Sequence, residues 1–441
     1  MRKSSFARIV LMGCSSVALG AALVPSTTQK ITFKDAIEMV VQKSPTLNKS
    51  KIEVELRDLE YQNASSAFLP SLDFTTNHGL RDNRPSIYNN IYGSDLNLQL
   101  TENLYDNGIS STKYESAKIQ KEIAYFNYQN ERDKIVLELA LRYMHYSLAK
   151  SLADVQQQQF NIVNKQYQSV FNQYQQGVKT RRDYLRFKTE LRRAEIDLQA
   201  SVVNTEKYRL ELMSLLGFEM TGPLDKPFDF IPIEIKKESI ALIPAQEPNL
   251  VQHPRYRIAD LQKKVYENDV YIIKRSYWPE LALNASATYH SGDYAADNVR
   301  LTDNQTTSWN VLLTMKFNVW DWGLRRRNIS IAAVRKTQAE NTIAADLNDF
   351  SSENKKLMLD LQQSSKKYSL AQELLDLENM SFQFLDSEYR SGKSSYLDII
   401  VGLRDLLSAK VQMYTSYYDL RGQLLKYRYH EGTLYEFILK N

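Results

Sequence analysis

The sequence has few of the residues that interrupt helices or cross-link chains. Of its 441 residues, only 14 are glycine, 11 are proline and one is cysteine. No proline lies between Pro85 and Pro223, and none follows Pro279, so two very long stretches are free to form helices. The single cysteine, Cys14, lies near the N-terminus, which excludes a disulfide framework and a thiolate metal site from the rest of the chain.

The sequence also lacks an excess of one charge. Its 56 basic and 52 acidic residues leave a net charge of +4, which is not the basic footprint of a nucleic-acid-binding protein. The five histidines show no metal-ligand spacing, and no carboxylate is paired with a nucleophile in a recognisable arrangement. Gly392-Lys393-Ser394 resembles the end of a phosphate-binding loop, but the first glycine of such a loop would fall on Ser387. We therefore expect no enzyme, no cofactor, no bound metal and no nucleic-acid partner.

The N-terminus has the pattern of an export signal. A basic start, MRKSSFAR, precedes an apolar stretch that ends in small residues near position 26. This pattern predicts a signal peptide over residues 1–26 that is removed after export. In an alternative interpretation, residues 11–14 form a lipobox and Cys14 carries a lipid.

The chain contains an internal duplication. FLPSL at 68–72 recurs as YWPEL 209 residues later. The DxG turn at 106–108 recurs 215 residues later, and so does 174-YQQGVKTRRD-183, as 389-YRSGKSSYLD-398. Landmarks in the same order at a nearly constant offset indicate two parallel repeats. The six-residue change in offset indicates a loop of different length in one repeat.

Between the first two landmarks of each repeat, apolar and polar residues alternate, which is the pattern of half-buried strands. The clearest run extends from Trp309 to Val319. We predict four strands near 70–83, 94–106, 279–293 and 307–321, each long enough to cross a bilayer at a tilt. No stretch of 18 apolar residues follows the leader, so a membrane crossing by the mature chain would use these strands.

Elsewhere the apolar spacing is helical. In-phase apolar positions recur three and four residues apart at Ile119, Ile123, Phe126, Leu137, Leu141, Met144 and Leu148, and again at Leu370, Leu374, Leu377 and Phe384. Such stripes are typical of coiled coils. A helix from Gly108 to Tyr174 would extend roughly 100 Å at ~1.5 Å per residue. The turns around Gly177 and Gly392 would then reverse the chain.

These patterns predict a domain organisation in four parts. They are a signal peptide (1–26), a first repeat (27–216) with a strand hairpin at 70–106 and a helical tip near 177, a proline-rich junction (217–254), and a second repeat (255–441) with a strand hairpin at 279–321 and a helical tip near 392.

Four strands in one chain raise the question of how the sheet closes. Open strand edges in lipid leave backbone groups unpaired, at several kcal/mol each. Two copies would form a barrel of eight strands that side chains fill, whereas three copies would form one of twelve strands with room for a lumen. A transport role therefore favours three copies.

The duplicated order of helix, FLPSL or YWPEL, hairpin, YDNG or WDWG, and YxxG tip resembles the TolC-like outer-membrane efflux and secretion channels, the outer membrane factors. The resemblance extends from Ile31 to about Tyr435. It implies a mixed fold, in which a long α-helical coiled-coil barrel continues a membrane β-barrel. Each chain would contribute four strands and a duplicated repeat, and the barrel would close only in a homotrimer.

The resemblance also implies a location and partners. The strands would lie in outer-membrane lipid and the helices in the periplasm, where they would dock to a periplasmic adaptor (a membrane fusion protein) and an inner-membrane pump. The channel would then be the passive exit duct of a tripartite efflux or type I secretion system. Two alternatives remain at this point, an exported periplasmic coiled-coil scaffold and an adaptor protein, neither with a transmembrane pore.

A periplasmic gate is a further implication of the resemblance. Residue by residue, Asp183 matches the family's gate carboxylate and Tyr389 its gate tyrosine. Asp398 matches one aspartate of a cation-selectivity ring, whereas Val401 occupies the second ring position. The closing network is therefore expected to be weaker than the family pattern or differently wired.

The arginine of the family's gate is absent from this chain. Its position holds Ser394, with Lys393 beside it, so we expect a differently wired gate that uses Lys393, Lys179, Arg181 or Arg182. Tyr174, Gly177 and Gly392 would form the tip turns around it. The alternative interpretation is that all these residues form solvated turns, whose ion pairs contribute only about 0–1 kcal/mol.

Overall fold

The computed structural model describes residues 29–81, 91–218, 228–233, 250–295, 306–391 and 393–440. The predicted signal peptide, Cys14 and Gly392 lie outside these ranges, as do the ends of both strand hairpins and most of the proline-rich junction.

The two halves of the chain contain the same main elements in the same order. In the first half these are β1 (Gln29–Ile31), α1 (Phe33–Lys43), α2 (Pro45–Ser65), β2 (Ser71–Arg81), β3 (Ile91–Tyr105), α3 (Ile109–Gln175) and α4 (Arg181–Leu215). The second half has β4 (Phe228–Phe230), α5 (Pro254–Arg275), β5 (Glu280–Ala295), β6 (Thr306–Lys316), α6 (Leu324–Arg390), α7 (Tyr396–Glu431) and α8 (Leu434–Lys440). Helices α3 and α6 each contain 67 residues, which supports the duplication inferred from the sequence.

The four long strands form one antiparallel sheet in the order β2-β3-β5-β6, so β2 and β6 are its edges. This confirms the four strands predicted from the alternating pattern, with different ends. Strand β6 ends at Lys316 rather than 321, because Lys316 pairs with Glu280, the first residue of β5. Strand β3 begins at Ile91 rather than 94, since its pairing with β2 and β5 continues to that residue.

The faces of the sheet differ in polarity. One row across all four strands contains Phe74, Leu98, Ala287 and Trp309, which are in register, and the next row on that face has the same character. The opposite face carries the polar residues Asp73, Thr75, Asn97, Gln99, Ser286, Thr288, Ser308 and Asn310. Polar side chains bond across strands there, as in the 3.0 Å hydrogen bond from the Thr288 hydroxyl to Asn97 Oδ1.

The four long helices form a row. Helix α3 packs against α4 on one side and α7 on the other, and α7 packs against α6. The row order is therefore α4-α3-α7-α6, with α4 and α6 at its ends. At ~1.5 Å per residue, α3 and α6 each extend about 100 Å from the sheet.

The core lies in the middle of the helical row. Two short strands, β1 and β4, pair in parallel over α3. Tyr143 of α3 is fully buried, and its hydroxyl donates to the Ile231 carbonyl oxygen at 2.6 Å. The Tyr146 hydroxyl donates to the Phe230 carbonyl oxygen at 3.1 Å. These bonds join segments that are more than 80 residues apart in sequence.

The predicted apolar stripes have two different environments. In α3, Ile119 and Met144 are buried, as a core stripe requires. In α6, the predicted stripe of Leu370, Leu377 and Phe384 is exposed in the single chain, while a second set of positions is buried. In the described part of the chain, no helix has the length and apolar character needed to cross a membrane.

Candidate functional site at the helical turns

The first turn joins α3 to α4 and is a closed helix cap. Gly177 has φ +76°, a left-handed conformation that glycine adopts without steric cost. The Val178 N–H donates to the Gln173 carbonyl oxygen at 2.8 Å, and the Gly177 N–H donates to that of Tyr174 at 3.0 Å. These two bonds define a Schellman motif, which satisfies the last carbonyl groups of α3.

The second turn joins α6 to α7 and has the matching long bond. The Lys393 N–H donates to the Glu388 carbonyl oxygen at 2.9 Å, and the Ser391 N–H donates to that of Ser387 at 3.1 Å. Gly392 itself lies outside the described residues, so its role in this turn stays a prediction.

Both aspartates of the repeated motif cap the helix that follows the turn. The Thr180 hydroxyl donates to Asp183 Oδ2 at 2.8 Å, and the Asp183 N–H donates back to the Thr180 hydroxyl at 3.2 Å. Ser395 and Asp398 form the same pair, at 2.6 and 3.3 Å. Each is a capping box at a helix N-terminus. The motif is therefore YxxGxx[S/T]xxD. In the first turn its glycine ends α3, and in both turns its [S/T]xxD part caps the helix that follows.

The capping bonds also influence ionisation. The hydroxyl of Thr180 donates to the Asp183 carboxylate and lowers its pKa below the usual range, and Ser395 does the same for Asp398. Both carboxylates are therefore ionised at neutral pH. Our sequence analysis missed Thr180 and Ser395, although the S/T-x-x-D spacing before a helix is a recognisable signal.

The remaining predicted gate residues lie close to these caps. Tyr174 stacks on Tyr184 with ring centroids 5.2 Å apart, which fastens α3 to α4 near the turn. Tyr389 occupies the matching position on α6, and Lys393 is exposed. Asp183 is bonded to Thr180 within its own helix cap. The joint role of Asp183 and Tyr389 in a gate remains a prediction.

An ion pair near the turns connects the two repeats. Arg404 Nη2 of α7 donates to Glu190 Oε2 of α4 at 2.8 Å, and Glu190 also pairs with Arg193 at 3.3 Å. The sequence analysis did not predict this contact, because 214 residues separate its partners and no local pattern marks it. Deeper in the row, Val155 of α3 meets Leu403 and Leu407 of α7 in a small buried apolar cluster.

The sequence matches the profile of a known protein family over most of its length. The outer membrane efflux protein family matches at residues 36–217 and 249–425. The chain belongs to this family. Members are channels rather than enzymes. No curated protein sequence shows significant similarity to the chain.

Solved structures of outer membrane channels share the fold of this family member. The Campylobacter jejuni CmeC outer membrane channel is 16% identical, with a TM-score of 0.76 over 91% of this chain and 86% of that one. The outer membrane protein VceC of Vibrio cholerae is 14% identical, with a TM-score of 0.73 over 90% and 95%. The Neisseria gonorrhoeae MtrE outer membrane channel in its open state is 16% identical, with a TM-score of 0.69 over 91% and 89%.

Family membership indicates where the sheet and the helices lie in the cell envelope. The efflux protein is an outer membrane channel whose helical part extends into the periplasm. The apolar face of the sheet is the one suited to contact lipid, and the polar face is the one suited to line a water-filled exit path. The two turns lie at the far periplasmic end, about 100 Å from the sheet.

Proposed function

We propose that three copies of this chain form the complete exit duct, a homotrimer with a twelve-stranded barrel and a periplasmic helical tunnel. The observation that supports this proposal is the sheet itself. Within the described residues, β2 and β6 have no partner on their outer sides, while the face they share is apolar. Such edges are costly in lipid unless β6 of one copy pairs with β2 of the next.

A periplasmic adaptor and an inner-membrane pump are proposed as the partners of this trimer. A passive exit duct of this kind would receive its cargo from a partner that supplies the energy for export, and we recognise no nucleotide-binding motif in this sequence. Family members work with adaptors and pumps, which supports this assignment. The cargo would be selected by the pump, since the duct only conducts it. We also propose that the first repeat ends at residue 216 and that the second repeat begins after residue 254.

We further propose that the turns close the duct when no partner is bound. Asp183, Tyr389 and Lys393 would form the gate, and Asp398 would form the cation-selectivity ring. The observation that supports both roles is the pair of ionised carboxylates at the helix ends, where a trimer brings six turns around one axis. Three carboxylates on one axis attract cations strongly.

Two neighbouring leucines on β6 provide a test of the membrane assignment. Leu313 belongs to the apolar face and Leu312 to the polar face, and both are exposed. We expect Leu313→Arg to cost about 2–4 kcal/mol near the bilayer midplane and to reduce assembly, whereas Leu312→Arg faces water in the lumen. The measurement is the amount of heat-modifiable trimer in purified outer membranes. Equal losses in the two variants, or a wild type recovered as a periplasmic monomer, would contradict the proposal.

A further inference from the structure

Helix α6 has two apolar stripes on opposite sides. Phe350, Leu357, Leu361, Tyr368 and Ala371 are buried, on the side that faces α7. About half a turn away, Leu370, Leu377 and Phe384 are exposed, and Phe384 has 73% of its surface accessible. A helix with a second apolar stripe requires a second packing partner.

Helix α4, at the other end of the row, has the same arrangement. Phe187 and Ala194 are buried on its inner side. Leu185, Ile196 and Val203 lie on the outer side and are 48%, 65% and 50% exposed. They follow one another at eleven and seven residues, the spacing of a coiled-coil stripe.

These two outer sides have opposite charges. The segment 181–195 of α4 has six basic side chains against three acidic ones, and Arg192 lies within its exposed stripe. The segment 373–388 of α6 has five acidic side chains and no basic one. Among the described ion pairs, none involves Glu373, Asp376 or Glu378. The α6 surface therefore has unpaired negative charge available for a partner.

The charged segments lie at the same level of the tunnel. Because α3 and α6 have equal lengths, the two turns are equally far from the sheet. Leu185 comes eight residues after Gly177, and Phe384 comes eight residues before Gly392. Packing α4 of one copy beside α6 of the next therefore places basic side chains opposite acidic ones.

We propose that the partner of the α4 surface is α6 of a second copy, and that this seam between copies is held by charge near the turns. Within one chain, the contact between the two repeats combines the apolar cluster of Val155, Leu403 and Leu407 with the neighbouring Arg404–Glu190 ion pair. Salt screens exposed charge pairs, with a Debye length of about 10 Å at 0.1 M and about 3 Å at 1 M. We therefore expect ionic strength or a charged partner to loosen the seam between copies, because its facing segments carry opposite charges. This inference rests on the proposed trimer.

Disulfide trapping in the full-length protein tests the contact. Leu185→Cys with Phe384→Cys places one thiol on each outer surface at the same level, and Cys14 is the only native cysteine. We expect oxidation to link different copies, which gives covalent dimers and trimers on a non-reducing gel. The matched control pairs Leu185→Cys with Leu359→Cys, which is exposed on the same side of α6 but about 25 residues farther from the turn, and it should give little cross-linking.

Charge reversal tests the electrostatic part. In the cysteine pair, Lys188→Glu with Arg192→Glu should lower the cross-linking rate about fivefold, and so should Asp376→Lys with Glu378→Lys. Combining all four reversals should restore the rate. Raising NaCl from 0.05 to 1 M should slow the parent and speed up each half-reversed variant, because salt screens attraction and repulsion alike. Asp405→Lys on α7 is the control that should leave the rate unchanged.

The outcomes separate the two proposals. Absence of any trimer in outer membranes overturns the proposed channel. A normal trimer with equal cross-linking in the test and control pairs overturns the seam. A normal trimer in which charge reversal and salt change nothing overturns its electrostatic character.

Discussion

The middle of the helical row and its turn end are built from the same four helices, yet they differ in how much one chain buries. In the middle, Tyr143, Tyr417 and Leu420 are fully buried, and short strands cover α3. At the turn end, Val178, Leu185 and Phe384 remain exposed. One chain therefore buries the apolar side chains in the middle of its row but leaves apolar side chains at its turn end exposed.

The largest effect should come from truncation in the middle. Tyr143→Ala removes a buried ring and the bond to the Ile231 carbonyl oxygen, so we expect about 3–5 kcal/mol of lost stability. Tyr143→Phe keeps the ring and loses only the hydrogen bond, about 1 kcal/mol. The temperature at which the trimer dissociates on gels measures both. If the two variants behave alike, the ring does not contribute as proposed.

A smaller effect in the same region should depend on pH. His253 is almost fully buried against Phe350, near His430 and Arg255, and its Nδ1 accepts from the Arg255 N–H at 3.2 Å. Burial, with His430 and Arg255 nearby, lowers the His253 pKa to about 4. The unfolded chain binds a proton below about pH 6.5 and the folded chain does not, so stability falls between pH 6.5 and 4.

Two substitutions isolate this pH dependence. At pH 5 the loss should be roughly 2 kcal/mol relative to pH 7.5. His253→Asn retains an N-cap for α5 and should remove much of the loss, while His145→Gln, at an exposed position, should not. The readout is the melting temperature of the purified trimer at both pH values. Identical pH profiles for wild type and His253→Asn would refute the assignment.

At the turn end, loss of a cap should have only a local effect. Thr180→Ala removes the bonds to Asp183 and should cost about 1 kcal/mol, confined to the start of α4. Amide hydrogen exchange should therefore rise at residues 181–185 and stay unchanged around Tyr143. A fall in exchange protection over the whole row would show that the two regions are not independent.

The gate itself can be separated from the cap. Asp183→Ala with Tyr389→Phe should raise single-channel conductance in planar bilayers, whereas Thr180→Ala loosens the same cap but keeps the carboxylate. If all these variants conduct alike, the motif is turn chemistry only. Asp398→Asn should have the smallest effect on stability but should reduce cation preference. An unchanged reversal potential in a salt gradient would exclude the ring.

The regular parts of this fold could be predicted from sequence because they depend on local periodicity. The alternation from Trp309 to Met315 predicted β6, and the two DxG turns predicted where α3 and α6 begin. Strands β1 and β4 could not be predicted, since three residues are too few to show a period. The Arg404–Glu190 ion pair could not be predicted from the sequence either, because only the folded row of helices brings its partners together.

The gate assignment shows a different limit. Repetition of Tyr, Gly and Asp predicted equivalent turns, but repetition alone does not distinguish a cap from a gate. Thr180 and Ser395 explain why both aspartates are present. The gate role of Asp183 therefore remains a prediction that these capping bonds do not test.

The equal lengths of α3 and α6 constrain how this protein can change. Both helices run 67 residues from the sheet to a turn, so in a trimer all six turns form one level rim. Removing one heptad from α3 alone would move three of the six turns about 10 Å closer to the sheet, so the turns would no longer lie at one level. A shorter or longer tunnel therefore requires matched deletions or insertions in both halves of the chain, in the descending and the returning helix of each.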